Sequence, residues 1–126
     1  MSHAVEGQAS KEFGVPVHFV GEEVPLRSDG FDRGDVDVLF KGEREDGSTL
    51  HVLLERKRRV GVLKGGDVVT QVLRTREAYL KFMGVPSTDK VECVLFAEAM
   101  EPGMVETALK EGIYVLLDSM ELKKPR

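Results

Sequence analysis

Four ionisable side chains sit where a strand would ordinarily carry apolar ones. Asp35 and Asp37 lie in GDVDVLF (residues 34–40), and Glu55 and Lys57 lie in LERKRR (residues 54–59). Burying a lone carboxylate or ammonium is costly unless it is paired or holds a metal, so the repetition asks for a chemical reason. Side chains alternate between the faces of a strand. Asp35 and Asp37 therefore share one face and Val36 and Val38 the other, while His51, Leu53, Glu55 and Lys57 line one face of the next strand. A hairpin that brings the polar ends together makes Asp37, Glu55 and Lys57 converge. Hard carboxylate oxygens suit Mg²⁺, which keeps several waters and takes one or two protein carboxylates plus a substrate phosphate. An ammonium two residues from a ligating carboxylate can orient or deprotonate an attacking water and counter the charge of a phosphorane-like transition state. Two acids and a lysine together suggest phosphodiester hydrolysis.

The elements around these residues can be read from periodicity. Val5, Ala9 and Phe13 recur at spacings of four and predict a short helix over residues 3–13. Residues 15–27 are β-rich but broken by Gly21 and two prolines, which predicts an edge or bent strand. SDGFDRG (28–34) reads as a turn or mobile loop. Residues 35–60 read as two antiparallel strands joined at the Asp46–Gly47 turn signal. Val69, Val72, Leu73, Leu80 and Met83 give a helical apolar face between Gly66 and Gly84. VECVLFA (91–97) suits a strand covered on both faces, Pro102 can open a helix that stops at Gly112, and IYVLLD closes as a strand. The order predicts an α/β fold with a mixed central sheet flanked by helices.

DVDVLF followed by LLERK resembles the motif of the PD-(D/E)xK nuclease superfamily, in which an Asp on one strand and an acid-x-Lys on the next bind metal and activate water. The resemblance implies a restriction-endonuclease-like αβββαβ core, with Asp37 as the motif Asp, Glu55 as the motif acid and Lys57 as the motif lysine. It implies Mg²⁺, or Mn²⁺, held by Asp37, Glu55 and the main-chain carbonyl of Arg56. It also points to an acid from the first helix, for which Glu6 and Glu12 are the candidates. GDVDVLF, LHVLLERK, QVLRTREAYLKF and GIYVLLD together look like an archaeal and bacterial branch of nuclease-like domains, and the helix with Gln71 and Tyr79 is similar to one in the exonuclease-type branch.

With 126 residues, 41% apolar and 32% charged, the chain fits one domain over 1–126 with one core. A net charge of -4 argues against a general polyanion binder, yet Arg56, Arg58, Arg59, Lys64, Arg74, Arg76 and Lys81 gather positive charge mid-chain. Arg58, Arg59, Gln71 and Arg74 are candidate substrate contacts. The RKRR run is equally a solvated edge that blocks aggregation, and Gln71 and Arg74 could simply face water. Asp35 is either a second ligand or, the favoured reading, a solvated strand start; His51 reads as a satisfied core or edge residue, Tyr79 and Tyr114 as core, and Cys93 as a buried, inert thiol. A lone cysteine builds neither disulfides nor a cysteine-rich zinc site, and no run is long enough for a membrane span or signal peptide, so a cytoplasmic protein is expected. The functional expectation is a metal-dependent nuclease acting on DNA. The alternatives are a catalytically weak or inactive module of the same fold that binds DNA or a protein partner, and a homodimer that builds a joint DNA channel.

Overall fold

The computed structural model describes residues 2–28, 31–118 and 122–125, of which 2–4, 28, 31–33 and 62–67 are described by backbone alone. Asp29 and Gly30 of the expected loop, and the Lys64 side chain, lie outside the described residues. The elements run α1 (Ser2–Phe13), β1 (His18–Ser28), β2 (Phe31–Glu43), β3 (Thr49–Val60), α2 (Val62–Phe82), β4 (Lys90–Met100), α3 (Pro102–Lys110), β5 (Tyr114–Leu117) and β6 (Leu122–Lys123). The expected α/β architecture, with an αβββαβ order of elements and a mixed sheet, is present. All six strands form one sheet in sequence order. The β1–β2, β2–β3 and β5–β6 pairs are antiparallel, whereas β3–β4 and β4–β5 are parallel.

Alternating apolar residues split the interior into two layers. Leu53 of β3, and Val91, Cys93, Leu95 and Ala97 of β4, pack with Val69, Val72 and Tyr79 of α2 and with Met104, Val105 and Ala108 of α3. On the other face Val38, Phe40, Val52, Leu54 and Val94 pack against Val5 and Ala9 of α1. β4 is thus covered on both sides, as its unbroken apolar run requires. The β2–β3 turn follows its Asp-Gly signal: Gly47 takes φ +85°, where a side chain would be strained, and the Asp46 carboxylate accepts the Ser48 N–H at 2.9 Å.

Several expectations are corrected. Residues 31–34 are strand rather than loop, because pairing of Phe31 with Ser28 and of Asp32 with Arg27 outweighs their turn-like composition. α2 ends at Phe82, so Met83 caps the helix and is 44% exposed instead of joining its apolar face. A sixth strand follows β5. Val36 and Val38 do not share a face: Val36 belongs to the layer under α2 and Val38 to the layer under α1. The exchange occurs at Asp37, between the pairs Glu22–Val38 and Val24–Val36, and there Glu23 of β1 takes a left-handed φ of +48°. Such a conformation in a residue with a Cβ turns an extended chain sharply.

Candidate active site

The β2–β3 ladder runs from Glu43–Thr49 to Val38–Leu54, the last pair of its register. β3 continues beside β4 to Val60. Where the two strands part, a side chain replaces the missing backbone partner: Asp37 Oδ2 accepts the Arg56 N–H at 2.9 Å. The next residue outward on the α2 face is Glu55, with only 8% of its surface exposed. Val36, Leu53, Val72, Thr75 and Cys93 wall its crevice. Lys57, one step along the same face, places Nζ 3.8 Å from Glu55 Oε1. The three residues singled out by type and spacing are therefore together.

Burial pushes the Glu55 carboxyl up to about 7; the Asp37 charge adds to the rise, and Lys57 and Arg56 oppose it. A hydrogen bond between the two carboxyl groups also favours the protonated form. Near neutral pH Glu55 accordingly hovers between holding and losing a proton. Among the described residues no group of three His, Cys, Asp or Glu side chains gathers at one point, so the site is a carboxylate pair. A pair of hard oxygen donors has the chemistry of a hydrated divalent cation, which needs few protein ligands.

The remaining candidates are placed as follows. Arg56 gives its N–H to Asp37 and its guanidinium to Glu22 Oε1 at 3.6 Å. Arg58, with 90% of its side chain exposed, reaches Glu98 Oε2 at 3.8 Å. Arg59, Gln71 and Arg74 are exposed, and no contact joins them to the carboxylate pair. Asp35 pairs with Arg27 of β1 at 3.4 Å. Neither first-helix acid reaches the site. α1 packs on the opposite face of the sheet, where Glu6 Oε2 accepts the Phe19 N–H at 3.2 Å and Glu12 Oε1 lies 3.8 Å from Lys124 Nζ.

His51 is a satisfied core residue, on the site's own face but at the other end of β3. Its Nδ1 lies 2.6 Å from the Tyr79 hydroxyl and its Nε2 2.8 Å from Asp89 Oδ2. Tyr79 is buried as expected, and Tyr114 stacks edge-on against Phe13 at 4.8 Å. Burial raises the Cys93 thiol to about 12, so it stays a neutral wall of the crevice. Sequence reasoning missed Thr75 and Val36 as crevice walls. The i, i+3 spacing of Val72 and Thr75 was the available signal for Thr75, while nothing in the sequence announced the turn of β2 that delivers Val36. The larger open grooves, about 440 and 490 Å³, lie at the far end of the sheet around Gly14, Val15, Arg44 and Glu45.

No family model matches the chain, and no curated protein matches it. Among solved structures it is similar to a repair endonuclease from Pyrococcus abyssi, with 20% identity, 99% of this chain and 48% of that chain covered, and a TM-score of 0.45. It is similar also to the EndoMS–dsDNA2 complex, with 23% identity, 99% and 46% covered, and a TM-score of 0.43. A third is an XisH family protein from Nostoc punctiforme, with 13% identity, 92% and 88% covered, and a TM-score of 0.49. The chain spans about half the length of the two endonuclease chains. Among the described residues no helix is long and apolar enough to cross a membrane.

Proposed function

We propose that this chain is a divalent-metal-dependent nuclease domain of the PD-(D/E)xK type that hydrolyses DNA phosphodiester bonds. The observation that carries the reading is the meeting of Asp37, Glu55 and Lys57 at the point where β2 and β3 part. Structural ion pairs at strand ends do not need two carboxylates crowded on each other in a half-dry crevice. A site that must take up a cation does.

The carboxylates of Asp37 and Glu55 and the carbonyl of Arg56 would hold Mg²⁺ or Mn²⁺. When bound, the ion supplies positive charge to the scissile phosphate and lowers the pKa of an adjacent water. The Arg56 N–H fixes the Asp37 carboxylate, and the walls from Val36, Val72 and Cys93 keep bulk water from behind Glu55. Lys57 projects from the same strand face and can orient the attacking water and meet charge on the phosphate oxygens. The water gives up a proton to solvent as its oxygen bonds to phosphorus, the opposite ester bond breaks, and the departing oxygen takes a proton from solvent. Arg58, Arg59, Gln71 and Arg74 are the proposed substrate contacts. DNA as the substrate follows from the motif's resemblance.

A cleavage panel over duplex, single-stranded and branched DNA and RNA, with Mg²⁺, Mn²⁺ or EDTA, tests this. Cleavage should require metal and vanish in Lys57→Ala while that variant stays folded. Cleavage indifferent to EDTA or to the substitution would overturn the reading. A second reading, a nuclease-fold module that binds DNA or a partner without cutting, is favoured by the placement of Glu6 and Glu12 on the opposite face. Absence of Mg²⁺ and Mn²⁺ binding in calorimetry would select it.

A further inference from the structure

We infer that Lys57 serves the metal-free protein as a tethered stand-in for the cation, and that it leaves Glu55 as a divalent ion is taken up. The inference rests on the nuclease reading and concerns how that site is kept at rest and loaded. Three observations carry it. Lys57 Nζ lies 3.8 Å from Glu55 Oε1, an oxygen of the carboxylate a cation would use. Lys57 is the more exposed partner, 30% against 10% for the Glu55 side chain, so the ammonium can swing toward solvent while the carboxylate stays fixed. The other basic groups nearby on β3 are held elsewhere, Arg56 by Glu22 and Arg58 by Glu98.

Counting charges gives the consequence. With both carboxylates ionised, as cation binding requires, Asp37, Glu55 and Lys57 sum to one net negative charge, so adding a dication with Lys57 in place leaves one net positive charge in a crevice walled by Val36, Val72 and Cys93. Like charges a few ångströms apart in such surroundings repel strongly. Uptake of the ion therefore turns the ammonium outward, toward the space where a phosphate and its attacking water would lie. The lysine becomes free for chemistry only once the ion is present, which couples loading to activation.

The test is calorimetric titration of Mn²⁺ into the wild-type protein, Lys57→Met and Lys57→Arg, without DNA. Methionine keeps the apolar stem and removes the charge, and should bind Mn²⁺ at least about tenfold tighter than wild type. Arginine keeps the charge and should bind within about threefold of wild type. A ¹³C-labelled Lys57 should show its Cε resonance shift on Mn²⁺-free loading with Mg²⁺ in the wild-type protein. Equal or weaker binding by Lys57→Met, in a variant that melts cooperatively, would overturn the stand-in role and leave the nuclease reading standing. Failure of all three proteins to bind Mn²⁺ would overturn both.

Discussion

Asp37 and Arg56 are joined through backbone rather than charge: the carboxylate Oδ2 takes the Arg56 N–H at 2.9 Å, while the Arg56 guanidinium turns to Glu22. This bond closes the gap left where β2 ends its pairing with β3, and it sets the Asp37 carboxyl against Glu55. One side chain thus finishes a sheet and begins a site.

Asp37→Ala should therefore lose stability as well as activity. An amide hydrogen bond to a charged acceptor contributes about 1.5–3 kcal/mol, part of which is offset here by relief of repulsion on Glu55. Asp37→Asn keeps an acceptor oxygen and should be more stable than Asp37→Ala by roughly 1–2 kcal/mol in urea unfolding. Both should fail to cleave.

Glu55 makes stability fall with rising pH in the metal-free protein. Its folded pKa, about 7, stands above the ordinary glutamate value, so the native state holds the proton more tightly than the unfolded chain. The contribution is complete in acid below the ordinary value, is lost as pH climbs through 7, and amounts to roughly 3 kcal/mol by about pH 8. Glu55→Gln, always neutral, should be more stable than wild type by about 1–3 kcal/mol at about pH 8 and nearly equal at about pH 4. Urea melts across that range decide it; a gap that widens toward acid would contradict the assignment.

The trio was legible because alternation along β3 puts Glu55 and Lys57 on one face and the Asp46–Gly47 signal makes β2 and β3 a hairpin; the register that brings Asp37 beside them is read only from the structure. What escaped prediction was tertiary. The side of the sheet taken by α1 decides that Glu6 and Glu12 miss the site, and the first-helix sequence carries no signal of that choice. Val36 and Val38 fall in different layers, and on the neighbouring strand Glu23 is left-handed, whereas the residues that usually take that conformation are Gly and Asn. His51 was read as satisfied, but its partner Asp89 lies 38 residues away, beyond any local pattern.

Tyr79→Phe separates the frame from the site. It removes the hydroxyl on His51 Nδ1 and should cost about 1–2 kcal/mol of stability by leaving a buried ring nitrogen without its partner. His51 lies four strand residues from Glu55, about 13 Å, so Mn²⁺ affinity should not change. Thermal melts and metal titration of one preparation read both quantities.

Arg59 and Arg74 are exposed and available to phosphate. Replacing either with Ala should weaken DNA binding by a similar factor on every sequence and lower the slope of log affinity against log salt by about 0.9 each. Fluorescence anisotropy over a salt series measures both, and a change confined to one sequence would instead assign base recognition.

The most direct measurement is anomalous diffraction from crystals of the protein equilibrated with Mn²⁺. The account expects one strong peak within coordination distance of both the Asp37 and Glu55 carboxylates, lost in Glu55→Gln. A density map with no peak there, or with Mn²⁺ held only at other surface acids, would contradict it.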